Sequence, residues 1–323
     1  GPLTPTGNLR GRAVAAYQQG NSFTDHLQQE KTILYGVMEA DLNDSTLLTV
    51  GAEYLYNDPR GFSTTGLPLL DNKGNRLHTS RSDNPASRDS SNRQESVNAF
   101  ASIEHKLTND WALKVSANSL YGTREDDSII VGTTTGFVNA QTGNGLSYTA
   151  TKGDNTQEQK GLDIMLSGPF QLMGREHELV VGFNYQSYEN RRNGFGNLLA
   201  NGTSNNGVSG KPVNIYSWDN YAPTASYNFN RENDDIDQWQ NGTYLATRLK
   251  PTDDLSVILG ARVSNYRYDA LLHYNVASLA PYSTDDAIRV NGKVTPYAGV
   301  VYDLTPNHSV YASYTSIFKP QPY

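Results

Sequence analysis

The sequence predicts an all-β protein built as an antiparallel transmembrane β-barrel. Three observations carry that prediction. Apolar and polar side chains alternate with a period of two through about eleven segments. The connections between those segments alternate between short and long. Aromatic rings gather at both ends of the segments.

The segments run in order along the chain. In LRGRAVAAY, Leu9, Gly11, Ala13, Ala15 and Tyr17 share one side, with Arg10 and Arg12 on the other. Leu34, Gly36, Met38, Ala40 and Leu42 then alternate with Tyr35, Val37, Glu39 and Asp41. Leu48, Val50, Ala52, Tyr54 and Tyr56 oppose Thr49, Gly51 and Glu53. Val97, Ala99, Ala101 and Ile103 oppose Asn98, Ser102 and Glu104, and Trp111, Leu113, Val115 and Ala117 oppose Lys114, Ser116 and Asn118. Segments around Leu162 to Leu166, Leu179 to Tyr185, Leu245 to Leu249 and Leu255 to Val263 repeat the pattern. The last two, PYAGVVYDL and VYASYTSIFKPQ, place Ala298, Val300 and Tyr302, then Val310, Ala312, Tyr314 and Phe318, on one face.

The short links lie at residues 43–45, 108–110, 168–175, 251–254 and 305–307. The long ones lie near 20–29, 58–94, 122–158, 188–238 and 268–291, and are rich in Gly, Asn, Ser and Asp. One end of the sheet therefore carries tight turns and the other carries every long loop. A soluble meander with one wet face would also alternate, but it has no reason to sort its loops. In hydrocarbon every backbone N–H and C=O must be paired within the protein, so a closed ring of strands is the β solution. Its apolar face meets lipid and its polar face a wet lumen, which reconciles low hydropathy with clean alternation. Tyr17, Tyr54, Tyr56, Tyr121, Tyr185, Tyr266 and Phe318 form a predicted girdle at the loop end, with Trp111 and Tyr302 at the turn end.

Composition closes other routes. Hydrophobic residues are 37% of 323, mean hydropathy is -0.60, and no apolar run nears the roughly 18 residues of a membrane helix. The 21 Tyr against 9 Phe and 3 Trp favour a ring with an apolar body and a wet tip, suited to boundaries. Without Cys there is no disulfide scaffold, thiolate zinc site, iron–sulfur cluster or thiol nucleophile. A net charge of -7 offers no basic field to nucleic acid. The N-terminal GPLTPTGNLR has neither an apolar leader core nor an initiator Met, so the chain is expected to begin within a longer protein.

Catalytic signatures are missing. His26, His78, His105, His177, His273 and His308 show no metal-ligand spacing. No GxSxG, Walker A or GxGxxG occurs. The adjacent carboxylates Asp126-Asp127, Asp234-Asp235, Asp253-Asp254 and Asp285-Asp286 diverge on an extended backbone and read as solvated loop residues. NDDIDQWQNG lacks the spacing of a Ca²⁺ loop. The chain is not expected to be an enzyme.

Several blocks carry a resemblance: LRGRAVAAYQ, YGVMEADLNDSTLLTVGAEY with NDPRG, GPFQLMGREHELVVGFNY, LKPTDDLSVILGARVSNYR, and KVTPYAGVVYDLTPNHSVYASYTSIFKPQ. Together they span nearly the whole chain, which resembles the barrel of TonB-dependent ferric-siderophore receptors, the ferripyoverdine and ferric-coprogen group. The resemblance implies a Gram-negative outer-membrane protein with a TonB box and a plug domain. This chain would then be a partial barrel, about 11 of 22 strands with the plug domain absent, beginning in a short periplasmic turn. It further implies TonB-coupled import of an Fe(III)-siderophore, hydroxamate-bearing by analogy. The partners would be the TonB-ExbB-ExbD complex and outer-membrane lipid or lipopolysaccharide, with no nucleic acid. No cofactor is implied, since the iron arrives wrapped in its chelator.

A chelate is gripped by aromatic faces, hydrogen bonds and complementary charge. The long loops supply Phe137, Tyr188, Arg192, Phe195, Tyr216, Trp218 and Trp239 as candidate ligand-binding residues, with Arg191 and Tyr221 beside them. By block position, Phe137 and Tyr188 fall where the family has aromatic pocket residues. Neither is the Trp that the resemblance expects of a ferripyoverdine site, which points to another siderophore. A TonB-dependent transporter of another nutrient, such as cobalamin or a glycan, and a passive porin are the alternatives.

Overall fold

The computed structural model describes residues 1–133, 137–196, 206–274 and 282–320. Their strands are β1 (Leu9–Asn21), β2 (Gln28–Asn43), β3 (Thr46–Arg60), β4 (Ser91–Lys106), β5 (Ala112–Gly132) and β6 (Leu146–Leu172). Then come β7 (Arg175–Gly196), β8 (Pro212–Val213), β9 (Phe229–Leu249), β10 (Leu255–Tyr274), β11 (Tyr282–Thr305) and β12 (His308–Thr315). Eleven of these pair in chain order into one open antiparallel sheet, while the two-residue β8 pairs with β6 inside a loop. Each of the eleven alternating segments falls in one of the eleven sequential strands.

The turns are tight because the chain supplies backbone geometry that suits them. Met173 and Gly174 take φ of 52° and 74° between β6 and β7, the both-positive pattern whose twist matches an antiparallel pair. Between β2 and β3, Asn43 Oδ1 accepts the Ser45 N–H at 3.0 Å and closes the bend.

Period two sorts the side chains. Leu34, Met38, Val97, Ile103, Ile164, Leu245, Leu259, Val300 and Leu304 share the outer face and are each 37–57% exposed. Such a continuous apolar band is far beyond what a water-facing surface tolerates, and it is what a lipid-facing wall requires. On the inner face large side chains lie over glycines of neighbouring strands: Phe100 over Gly51, Tyr244 over Gly182, Arg262 over Gly242. The Phe100 ring also stacks on Tyr35, with centroids 6.3 Å apart. Lys114 pairs with Glu104 at 2.6 Å, and Arg10 with Glu39 at 3.2 Å and Asp41 at 2.5 Å.

Two girdle residues depart from expectation. Tyr266 falls on the inner face and is buried. The irregularity opposite it belongs to β11, where Gly292 has φ 63°, so β10 keeps its alternation through Tyr266. Phe318 lies past the end of β12.

Strand pairing also continues well into the segments read as loops, leaving connections outside the strands at 22–27, 61–90 and 137–145, with β7 ending at Gly196 and β9 starting at Phe229. Within the predicted long loops, residues 134–136, 197–205 and 275–281 lie outside the described residues. The reason for the extended pairing is physical. Beyond the apolar band both faces of a strand are wet, so hydropathy stops alternating while the backbone ladder carries on.

Loops 61–90, 137–145 and 206–228 pack into one cap around Leu77, Val138 and Val213, with Val131 and Leu146 from the ends of β5 and β6. Asn220 Nδ2 donates to the carbonyls of Asn84 (2.8 Å) and Ala86 (2.7 Å). The Arg88 guanidinium lies 3.5 Å from the Tyr221 ring centroid. The bridge Asp71↔Val138 joins two of the cap loops, and Ala86↔Ile130 joins the cap to the end of β5.

Candidate functional site

The site arises where β5, β6, β7 and β9 run past the apolar band toward the long-loop end. Register aligns Gln94, Arg124, Asn155, Arg192 and Asp234 in one cross-strand row. All five have the parity of the inner face. Neighbouring strands stand about 4.8 Å apart, so Arg124 and Arg192 are separated by roughly 10 Å at their backbones, with Asn155 between them.

Three of the row, Arg124, Asn155 and Arg192, line a cavity of about 740 Å³, bounded also by Asp126, Phe195 and Glu232 among others. Arg124 donates to Asp126 from Nε (2.9 Å) and Nη2 (2.7 Å), and the Asn92 amide donates to the same carboxylate. Arg192 Nη2 donates to Glu232 Oε1 at 2.6 Å. The Glu232 side chain is only 9% exposed. Asn155 Nδ2 donates to Asn190 Oδ1 at 2.7 Å, while its own Oδ1 is buried with no hydrogen-bond partner. An unpaired buried acceptor costs about 1–3 kcal/mol. A smaller hollow of about 290 Å³ lies deeper on the same face, lined by Tyr188, Asn118, Gln159, Gln186 and Gln238.

The structure divides the seven candidates. Arg192 and Phe195 line the mouth cavity, and Tyr188 lines the hollow beneath it. Phe137 (64% exposed) and Tyr216 (65%) sit on the cap, where the Tyr216 hydroxyl donates to the Ala140 carbonyl. Trp218 belongs to the cap interior: its Nε1 donates to the Asn84 carbonyl at 2.8 Å, and its ring meets Tyr148 edge-on at 5.8 Å. Burial pushes the Tyr148 phenol above its usual range, and the nearby Asp219 charge adds to the shift. Trp239 has the parity of Leu245 and Thr247, the outer face, and is paired in register with Ser187 and Arg267. The sheet itself separates it from the cavity. Arg191 is likewise outward, bound to Asp237 at 2.8 Å with Asp235 at 3.9 Å.

Sequence reading missed Arg124, Asn155 and Glu232, because their stretches look like polar loop. One signal was available. Arg124/Asp126, Glu158/Lys160, Glu189/Arg191 and Arg267/Asp269 are opposite charges two residues apart, the spacing that shares a strand face, and each pair forms an ion pair here.

Comparison with known proteins agrees with this architecture. A family described as TonB dependent receptor-like, beta-barrel, matches residues 35–323. The Ferripyoverdine receptor of Pseudomonas aeruginosa is 40% identical over 99% of this chain and 37% of its own length. The Ferric-pyoverdine 358 receptor of Pseudomonas putida is 38% identical with the same coverage. A crystal structure of the ferripyoverdine receptor of the outer membrane of Pseudomonas aeruginosa, bound to ferripyoverdine, superimposes with a TM-score of 0.85 at 37% identity. It covers 99% of this chain and 40% of that one. The chain thus spans less than half the length of these relatives.

Proposed function

The chain belongs to the TonB-dependent receptor β-barrel family, and from that premise we propose that it serves, in the outer membrane of a Gram-negative bacterium, as barrel wall and ligand mouth of a siderophore receptor. The receptor binds a ferric siderophore from outside and imports it by coupling to TonB and its ExbB-ExbD partners. It is a receptor and transporter, not an enzyme, and the iron passes through as cargo.

One observation carries the reading: an inward cavity of about 740 Å³ stands above an apolar outer belt and is lined by paired charges and amides beside Phe62, Ile130 and Phe195. That combination suits a polar chelate arriving from water and entering a barrel lumen. Outward ion pairs such as Arg191–Asp237 stand just beyond the belt, at the level where lipopolysaccharide headgroups would meet the wall. The pyoverdine receptors among the relatives support a pyoverdine as the siderophore.

Growth under iron limitation tests this. A strain lacking the gene, offered ferric pyoverdines, ferrioxamine and coprogen one at a time, is expected to lose growth on one of them. Unchanged uptake across the panel would overturn the proposal.

A further inference from the structure

Within that uptake reading, and resting on it, we propose that Arg124, Asn155 and Arg192 form a subsite for a carboxylate arm of the ferric chelate. Two guanidiniums flank one amide on adjacent strands of a rigid ladder, all facing the cavity. Each arginine is held by a single carboxylate neighbour, Arg124 by Asp126 and Arg192 by Glu232. Arg192 commits only Nη2 in doing so, leaving Nε and Nη1; Arg124 commits Nε and Nη2, leaving Nη1. A guanidinium fork with unused donors matches a carboxylate in shape and charge.

Asn155 supplies the second, independent observation. It is 9% exposed, and its Oδ1 has no donor although arginines stand on both sides in register. Its amide is therefore not at its best pairing in this arrangement. Rearrangement of either guanidinium around an incoming anion would offer that oxygen an N–H.

The tethers have a use of their own. Asp126, Glu232 and the neighbouring Asp234 outnumber the two guanidiniums. The arginines therefore attract a carboxylate through their unused N–H donors rather than through a net positive field, and hold it loosely enough for a transporter that must release its cargo. Simple structural pairing, in which each arginine exists to neutralise its carboxylate, makes the opposite prediction for Glu232 substitutions.

The test uses the intact receptor and two probes: a ferric pyoverdine with a carboxylic acid arm, and the same molecule with that arm converted to the amide. Wild-type protein is expected to bind the acid about 10- to 100-fold more tightly, the range for charge-assisted hydrogen bonds. The double variant Arg124→Gln/Arg192→Gln should bind both probes alike, the preference for the acid being lost. Glu232→Gln should tighten acid binding several-fold. Heat-dependent gel mobility identifies any variant that fails to fold, and Arg192→Lys, which keeps charge but not the fork, should restore part of the discrimination. Equal wild-type affinity for the two probes would overturn the subsite and leave the uptake reading standing. So would weaker acid binding in Glu232→Gln. Failure of wild type to bind either probe, together with unchanged growth across the siderophore panel, would overturn both.

Discussion

The ring of His177 ties two adjacent turns together: its Nδ1 accepts the Lys250 backbone N–H at 2.9 Å, while its Nε2 donates to the Leu172 carbonyl at 3.1 Å. Accepting at Nδ1 and donating at Nε2 requires the neutral imidazole with its proton on Nε2. Arg175 and Asp253 join the same turns at 2.8 Å, and Phe170 packs beside the ring.

Replacing His177 with Ala removes both bonds and leaves the half-buried Lys250 N–H without its partner. The expected cost is about 1–3 kcal/mol. It should appear as a lower temperature for loss of heat-modifiable gel mobility, with ligand affinity unaltered, because the turns lie at the opposite end of the sheet from the cavity.

A side chain at Gly51 has nowhere to go. Its Cβ would stand 2.9 Å from Phe100 Cε2 and 2.8 Å from the Gly36 carbonyl oxygen. Gly51→Val should destabilise the barrel by about 1–3 kcal/mol through overpacking. Adding Phe100→Ala should recover part of that loss, a non-additivity measurable by thermal unfolding of the four proteins of the cycle.

Trp218→Ala should loosen the cap without melting the barrel. Loss of the ring contact and of the bond to Asn84 is worth on the order of 3 kcal/mol. The readout is limited proteolysis, with faster cleavage within 61–90 and 206–228 and unchanged gel mobility of the sheet.

Asp71 gives the cap an acid limit. Burial alone would push its carboxyl up, but the backbone N–H groups of Asn75 (2.7 Å) and Lys73 (2.8 Å) and the Asn75 amide (3.2 Å) outweigh it and hold the group below its usual range. The native carboxyl therefore binds protons less readily than the unfolded one. Its stabilisation is complete above the ordinary aspartate value of about 3.9 and is lost as pH falls through the lower native value. Protease susceptibility of the cap should rise over that acidic window in wild type and lose this component in Asp71→Asn.

Trp239→Ala should leave siderophore affinity within about twofold of wild type, since the ring occupies the outer face. Its effect should instead appear as reduced stability in bilayers, where interfacial aromatics anchor the wall. A tenfold loss of ligand binding would contradict the assignment of faces.

The arrangement of strands was legible wherever lipid imposed a rule on the chain. Apolar residues on one face of Leu34 to Leu42, or of Leu255 to Val263, had to alternate because hydrocarbon and water lie on opposite sides of a single strand. Tight turns announced themselves for a similar local reason, through Asn43 and Gly174. Beyond the bilayer that rule lapses. The ladder around Arg124, Asn155 and Arg192 is held by backbone pairing with partners 31 or 37 residues away, and neither hydropathy nor spacing along the chain reports such a register. The same holds for Trp218 and Trp239, alike as exposed-looking loop aromatics in the sequence. Long-range contacts with Asn84 and Tyr148 drew the first into the cap, and strand parity set the second outside the wall. Local chemistry along the chain thus determined a lipid-facing sheet with sorted turns and loops. Which polar residues converge on a cavity was decided by registry between distant strands, because that registry is a property of neighbours rather than of any one segment.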